Sequence, residues 1–161
     1  MKRKGAAILF FAALFLSSAV FARAEEAFET LQSYASNGVI VPEEYGKNFF
    51  WGSGYKAEGF WTPAKKDIAK AERQLAAYLK EEAAERSPEL WKQVSRYNRQ
   101  YVGVIVFGRK NLWVNLFHKS VRRPSWRNEP VLVSGGGDRF FNVLYDVEEE
   151  KYFDLQINAA M

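Results

Sequence analysis

The chain has 161 residues, no cysteine, and 23 lysines and arginines against 19 aspartates and glutamates. This length fits one domain, and the lack of cysteine excludes disulfides, thiolate metal sites and a cysteine nucleophile. Four of the basic residues lie within 1–24, which leaves 19 charges of each sign in the rest of the chain. A basic, nucleic-acid-binding domain is therefore not expected.

Residues 1–24 have the pattern of a secretory signal peptide. A basic start precedes an apolar run, and the small residues Ala22 and Ala24 fit the site that a signal peptidase recognises. We therefore expect cleavage after Ala24 and a periplasmic or secreted mature protein. No cysteine follows this site and no second apolar run reaches about 18 residues, so neither a lipid anchor nor a transmembrane helix is expected after cleavage.

Residues 25–61 form an N-terminal segment rich in aromatic residues and glycine. Apolar spacing predicts a short helix over 25–35, and Asn37-Gly38 predicts a turn. Seven of the 17 residues over 45–61 are aromatic, so this stretch is too apolar for a free linker. We expect it to pack on the domain as an irregular strap, with the binding of sugar rings or a peptide as the alternative role for its aromatic side chains.

Two helices are predicted next. Thr62-Pro63 is typical of a helix start, with threonine as the N-cap and proline at the first helical position. An apolar stripe then predicts a helix over 63–85. Ser87-Pro88 repeats the start signal and predicts a shorter helix over 88–98. The stripe of the long helix consists of Ile68, Ala71, Leu75, Tyr78, Leu79 and Ala83.

After Arg99 the apolar period changes to two, which predicts strands. Hairpin turns are expected at 108–111, 135–138 and 147–151. Helices followed by hairpin-linked strands indicate an α+β domain over 62–161, in which one long helix packs on a curved, four- to five-stranded antiparallel sheet. The predicted strands are 101–107, 112–118, 131–134, 140–146 and 152–158. The predicted shared core is Leu75, Leu79, Val104, Leu116, Val143 and Leu155.

Several motifs over residues 59–158 carry a resemblance to known proteins. They are Gly59-Phe60-Trp61-Thr62-Pro63, Tyr97-x-Arg99-Gln100-Tyr101-x-Gly103, Asn115-x-Phe117, Gly136-Gly137 and Phe140-Phe141-x-Val143-x-Tyr145-Asp146. They resemble a group of small exported bacterial proteins without assigned function. The long helix and strand meander resemble the cystatin-like and nuclear-transport-factor-like folds. The resemblance implies a fold and no catalytic residues.

The protease-binding motif of cystatins does not recur in this sequence. That motif is Gln-x-Val-x-Gly, whereas in Gln100-Tyr101-Val102-Gly103 the glycine comes one position early. The resemblance therefore does not imply inhibition of cysteine proteases.

Charge is segregated along the chain. No acidic residue lies between Glu89 and Glu129, although nine basic residues do. This pattern predicts either a basic surface for an anionic partner or neutralisation by neighbouring strands of opposite charge.

The loop that begins at Lys119 is the best local candidate for an anion site. It is longer than a hairpin requires, and it combines arginines with an aromatic ring, which can bind an anion and stack on a flat group. The alternative is a solvated connection. The candidate ligand-binding residues are Arg122, Arg123, Trp126, Arg127 and the preceding His118.

No sequence pattern predicts a metal, a cofactor or a catalytic centre. His118 is the only histidine, and as a general base it would need an orienting carboxylate and a nucleophile. The glycine-rich 134–138 lies between two predicted strands, so it indicates a hairpin rather than a phosphate loop. Glu148, Glu149 and Glu150 lack the spacing of a calcium loop.

We interpret the sequence as an exported binding protein whose partner is an unknown protein or an anionic component of the envelope. One alternative is a small hydrolase or isomerase that uses His118 as acid or base. Another is a structural envelope component. A filled interior between helix and sheet would favour the binding protein, whereas a pocket lined with buried ionisable groups would favour the enzyme.

Overall fold

The structure of the protein, a computed structural model, describes residues 37–51 and 54–160. These residues form three α-helices and a six-stranded mixed sheet, which confirms the α+β class. The expected signal peptide and the helix expected over 25–35 lie outside the described residues. The helices are α1 (Glu43–Phe49), α2 (Lys65–Glu82) and α3 (Leu90–Gln93), and the strands are β1 (Gly38–Val41), β2 (Gly59–Trp61), β3 (Tyr97–Val106), β4 (Arg109–His118), β5 (Phe140–Asp146) and β6 (Lys151–Ile157).

Strands β3 to β6 form an antiparallel meander, and two further strands extend the sheet beyond β3. β1 runs parallel to the first half of β3, and β2 runs antiparallel to its second half. The expected antiparallel sheet of four to five strands is therefore a mixed sheet of six in the part of the chain described. The prediction missed β1 and β2 because both are short and find their partner only far along the chain. The expected strap thus contains α1 and β2.

A glycine in β3 allows β2 to approach closely. A Cβ atom at Gly103 would collide with the carbonyl oxygen of Trp61 and would lie 2.7 Å from its indole ring. Only a residue without a side chain fits this position, so Gly103 fixes where β2 joins the sheet.

The long helix α2 buries its apolar stripe against one face of the sheet. Ile68, Ala71, Leu75 and Leu79 are buried in a single cluster with sheet residues. Four of the six predicted core residues belong to this cluster, and Leu155 packs against it while only partly buried. Val104 is the exception: it is buried on the opposite face, so its predicted place beneath the helix is wrong.

Both predicted helix starts differ from the observed ones. α2 begins at Lys65, after Ala64 as N-cap, and the Thr62 hydroxyl instead accepts a hydrogen bond from the Glu43 backbone N–H at 3.1 Å. Thr62 therefore joins α1 to β2 rather than capping α2. The helix predicted over 88–98 is also shorter, because β4 pairs with β3 from Tyr97 onwards.

A partly buried ion pair lies between α2 and the sheet, in which the Glu72 side chain is 26% exposed. The Arg99 side chain is only 6% exposed, and its Nε lies 2.9 Å from Glu72 Oε1. Its other two nitrogens donate to the carbonyl oxygens of Tyr97 and Val94, at 2.6 and 3.0 Å. The Tyr101 hydroxyl donates to the same Glu72 oxygen at 2.8 Å. The interior between helix and sheet thus holds apolar side chains, several tyrosines and this charge network. Within the described residues the buried Tyr152 hydroxyl has no hydrogen-bond partner.

Two tyrosines should make stability fall at alkaline pH. Burial raises the pKa of Tyr78 to about 12 and, likewise, the pKa of Tyr97 to about 12. An unfolded tyrosine ionises near pH 10, so between about pH 10 and 12 the unfolded chain releases protons that the folded chain retains. The stabilisation is complete below pH 10, and we expect the free energy of unfolding to fall as pH rises through this window.

Tyrosinate absorbance during a pH titration measures this effect directly. In the Tyr78→Phe and Tyr97→Phe variants, the part of the tyrosinate absorbance change that occurs near pH 12 should each time be smaller by one tyrosine. Loss of a component near pH 10 from either variant would show that the phenol is accessible to water.

Candidate functional site

The face of the sheet opposite α2 has a second hydrophobic cluster with two separate coverings. At one end, α1 and the aromatic residues that follow it pack on this cluster. At the other end lies the loop 119–136, where Trp126 packs edge-on against Phe117 with ring centres 5.5 Å apart. A cleft of about 290 Å³ remains between the two coverings.

Four amide side chains form a row across this face, one from each strand of the meander. The strand register pairs Gln100 with Asn115, Asn115 with Asn142, and Asn142 with Gln156. We call these four residues the amide row. The first three are buried, a position in which polar groups normally need hydrogen-bond partners.

The buried end of the amide row holds the loop in place. Gln100 Oε1 accepts from Val131 N and from Asn115 Nδ2, each at 3.1 Å. Gln100 Nε2 donates to the carbonyl oxygens of Trp126 and Glu129, at 2.6 and 2.7 Å. Asn115 Nδ2 also donates to Val131 O at 2.9 Å. The loop backbone is therefore satisfied by side-chain amides.

This arrangement explains why the strand predicted over 131–134 is absent. The segment has the composition of a strand, but its backbone pairs with side chains instead of with a neighbouring strand. In addition to the bonds at Val131, Asn158 Nδ2 donates to the carbonyl oxygens of Val133 and Gly135, the latter at 3.0 Å. The predicted strand is a wall of the cleft.

The remaining amide groups of the row are open to a ligand. Trp113 Nε1 donates to Asn142 Oδ1 at 3.1 Å. Because an indole N–H can only donate, this bond directs the NH₂ group of Asn142 away from Trp113. That NH₂ group and Asn115 Oδ1 make no hydrogen bond within the described residues. One donor and one acceptor thus stand unpartnered on adjacent strands.

A β-bulge in β6 brings Gln156 into the row. The register shifts between Asn142 and Leu144, which pair with Gln156 and Phe153 respectively. Asp154 has a positive φ of 52° within this shift. The extra residue places Phe153 and Gln156 on the same face although they are three positions apart, which a regular strand does not allow. Asp154 Oδ2 then accepts from Gln156 Nε2 at 2.9 Å, and the Gln156 side-chain carbonyl makes no hydrogen bond within the described residues.

Tryptophan and a larger hollow adjoin the amide row. Trp51 lines the cleft with 54% of its surface exposed. Trp51 and Gln156 also line a neighbouring hollow of about 770 Å³, whose other walls include Phe50, Tyr55 and Phe60. The two volumes together have the size, the apolar walls and the few polar groups that are typical of ligand sites.

The predicted basic loop lies on the far side of the cleft wall. Arg123 and Trp126 line a small hollow of about 120 Å³ that shares Val131 and Leu132 with the cleft. The Arg127 guanidinium lies over the Trp126 ring, 4.3 Å from its centre. The structure thus places these three predicted residues beside the cleft.

Neighbouring elements neutralise part of the basic stretch, as one of the two interpretations expected. Arg99 pairs with Glu72, and Arg109 pairs with Asp146 and Glu149, each at 3.0 Å. Arg122 and Arg123 are exposed, and neither forms an ion pair within the described residues.

His118 lies apart from the other predicted site residues. Phe117 and His118 follow each other in β4 and point to opposite faces of the sheet. Phe117 contacts Trp126, whereas His118 packs edge-on against Tyr97 on the helix side, with ring centres 5.3 Å apart. His118 Nδ1 lies 2.8 Å from the Ser120 hydroxyl. The Ser120 backbone N–H donates to the same nitrogen at 3.2 Å. No carboxylate contacts His118 within the described residues, so the orienting acid that a general base needs is not found there.

Residues 37–51 and 54–160 have neither a metal-binding cluster nor a membrane-spanning helix. They contain no group of three or more metal-ligating side chains that could hold an ion. None of their helices is both long and apolar enough to cross a membrane.

The sequence analysis singled out the basic loop and gave the aromatic side chains of 45–61, which include Trp51, an alternative role in binding sugar rings or a peptide, but it missed the amide row. Comparison with protein-family models, with curated proteins and with solved structures finds no match for this chain. The chemistry of the cleft itself is therefore the basis on which its function is inferred.

Proposed function

We propose that this protein is a binding protein whose ligand is a carbohydrate held in the cleft. The observation that carries this proposal is the unpartnered donor of Asn142 beside the unpartnered acceptor of Asn115, next to the exposed ring of Trp51. Neutral amides that can both donate and accept complement sugar hydroxyls, which also do both. The Trp51 ring offers a flat apolar surface to the C–H face of a sugar ring.

The lining of the cleft supports binding rather than catalysis. Within the described residues the cleft includes no aspartate, glutamate, histidine, lysine or tyrosine, and the larger hollow adds Lys47 and Tyr55. General acid–base catalysis needs such a titratable group within reach of the substrate. His118, the acid–base candidate of the alternative enzyme, lies on the opposite face of the sheet.

The same proposal includes export and a cystatin-like arrangement. The basic start, apolar run and small residues of 1–24 support cleavage after Ala24 and a periplasmic or secreted location. The packing of α2 on the meander β3–β6 supports the likeness to the cystatin-like fold. In this arrangement the ligand would bind on the sheet face that the helix leaves uncovered.

Binding of neutral sugars tests the proposal. We expect cellotetraose, chitotetraose or mannotetraose to bind with a change in tryptophan fluorescence, and calorimetry to give the affinity. Trp51→Ala should weaken binding about tenfold or more, which corresponds to the loss of one good contact. Trp91→Ala is the matched control, because Trp91 lies on α3 at the helix side. The Trp91→Ala variant should bind the sugar with the same affinity as the unmodified protein.

Asn142→Asp removes the NH₂ donor of residue 142 but keeps an oxygen that accepts from Trp113 Nε1. The substituted carboxylate still accepts from Trp113 Nε1 but replaces the free NH₂ group with an acceptor, so we expect weaker binding. Because Asn142 is only 9% exposed, the new charge also lowers stability, and binding is measured at a temperature at which the variant is fully folded. The proposal fails if none of the three sugars binds, or if Trp51→Ala and Asn142→Asp bind as tightly as the unmodified protein.

A further inference from the structure

We propose that the carbohydrate is an extended chain, which runs from the cleft across the larger hollow to a second stacking surface at Phe107. This inference rests on the proposed function and specifies the class of carbohydrate, a polymer rather than a single sugar ring. It follows from an exposed aromatic ring that the turn between β3 and β4 carries in an unfavourable backbone conformation.

Phe107 occupies a position that does not favour phenylalanine. Phe107 and Gly108 have positive φ angles of 55° and 67°, as the two central residues of a type I′ hairpin turn require. Asparagine or aspartate is the usual residue before glycine in such a turn, whereas a bulky side chain at positive φ is an outlier. Backbone geometry alone would therefore select asparagine rather than phenylalanine at position 107.

Burial does not account for Phe107 either. It is 68% exposed, more than any other large hydrophobic residue within the described part of the chain. Its ring packs edge-on against Tyr55, with ring centres 5.1 Å apart, and most of its surface still faces water. A residue that is both strained and exposed points to a contact with a ligand.

The larger hollow connects Phe107 to the cleft. Tyr55, which contacts Phe107, lines the hollow. Trp51 and Gln156 line both the hollow and the cleft. A sugar chain that leaves the amide row therefore passes a mainly aromatic surface before it reaches Phe107.

The separation between the amide row and the turn requires a chain of several sugar rings. Asn115 belongs to the row and lies six residues from Arg109 in β4, and Arg109 pairs with Val106, which precedes Phe107. At about 3.4 Å per residue, this separation is about 20 Å. A ligand that contacts both ends binds the second at a high effective concentration once the first is bound, which raises its affinity.

Two hydrogen bonds fix the turn against the segment that precedes β2. The Gly108 N–H donates to Glu58 Oε2 at 3.0 Å, and the Glu58 N–H donates to Ile105 O at 2.8 Å. The backbone that carries Phe107 is therefore already in place before a ligand binds, which reduces the ordering cost of binding.

The dependence of affinity on chain length tests the inference. We expect cellohexaose, chitohexaose or mannohexaose to bind about tenfold more tightly than the disaccharide of the same series. A longer chain also offers more positions at which it can bind a single site, so this increase alone does not locate the second contact. A change at Phe107 locates it.

Phe107→Asn removes the aromatic ring and suits the turn. Because asparagine is favoured before glycine in a type I′ turn, urea unfolding should show a variant at least as stable as the unmodified protein. In calorimetry we expect it to lose most of the preference for the hexasaccharide and to keep its affinity for the disaccharide. Phe107→Tyr keeps an aromatic ring and should retain the preference.

Glu150→Asn is the matched control. Glu150 also has a positive φ, 53°, in an exposed turn that follows β5. Its carboxylate pairs with Lys70 of α2, so it belongs to the helix side of the sheet. The variant makes the same change of backbone preference away from the site and should leave both affinities unchanged.

The outcomes separate this inference from the function on which it rests. The inference is wrong, and the carbohydrate site stands, if the hexasaccharide binds no more tightly than the disaccharide or if Phe107→Asn keeps the full preference. The same conclusion follows if Phe107→Asn weakens binding of the disaccharide equally, or if Glu150→Asn reduces the preference as much. If no sugar of any length binds, both are wrong.

Discussion

Replacing Glu72 with alanine is expected to reduce the free energy of unfolding by about 1–3 kcal/mol, the range for leaving a buried polar group without its partner, because Arg99 is buried while Glu72 itself is 26% exposed. Arg99 would keep its charge in a site where its side chain is 6% exposed. The two carbonyl groups that bind its other nitrogens carry only partial charge and cannot replace a carboxylate. The Tyr101 hydroxyl would also lose its acceptor on Glu72. Urea unfolding of the variant measures the loss.

Two comparisons assign this loss to the ion pair. Glu81→Ala makes the same chemical change at an exposed position of α2, so it controls for helix propensity and should stay within about 0.5 kcal/mol of the unmodified protein. Glu72→Gln keeps an oxygen acceptor but removes the charge, and should fall between the two. Equal stability of Glu72→Ala and Glu81→Ala would show that water already compensates Arg99 in the folded state.

Local sequence signals were sufficient for the elements that depend on near neighbours. The apolar stripe of α2 is confirmed at Ile68, Ala71, Leu75 and Leu79 because helical period alone selects the buried face. The strand predicted over 140–146 coincides with β5, since its flanking turns are marked in the sequence. In both cases the information lies within a few residues.

Errors arose where a partner far along the chain decides the structure. β3 is apolar on both faces because each face carries a buried cluster, so alternation could not place Val104. β1 forms by pairing in parallel with β3, and no pattern within β1 itself predicts that partner. The 131–134 segment has a strand composition but is held by the side chains of Gln100, Asn115 and Asn158.

The candidate site was harder to predict from the sequence than the fold, because it depends on strand register. Each amide of the row stands alone in its own strand, and only the pairing of four strands aligns them. Gln156 further needs the bulge at Asp154. A mid-strand amide among apolar residues was nevertheless a usable signal at Asn115 and Asn142, since such a group must find a partner.

Leu75→Ala should be the largest purely apolar loss, about 2–5 kcal/mol in the free energy of unfolding. Leu75 is fully buried in the cluster between α2 and the sheet. Truncation removes the transfer free energy of three carbon atoms and leaves a cavity that the surrounding helix and strands only partly fill. Leu132→Ala is the matched control, because Leu132 is 39% exposed on the cleft wall. Urea unfolding of both variants should separate them by more than about 1 kcal/mol, whereas equal losses would place Leu75 in solvent.

Double variants then test which face of the sheet each residue occupies. Leu75 and Leu116 share the helix-side cluster, so their combined loss should depart from the sum of the single losses by about 0.5 kcal/mol or more. Leu75 and Val104 lie on opposite faces, so their losses should add within about 0.5 kcal/mol. The comparison uses one reference residue and the same truncation to alanine throughout. The opposite result would be strong coupling of Leu75 to Val104 together with additive losses for Leu75 and Leu116. It would put Val104 on the helix side of the sheet, and the amide row, which shares the face of Val104, would then lie beneath α2, where no sugar could reach it.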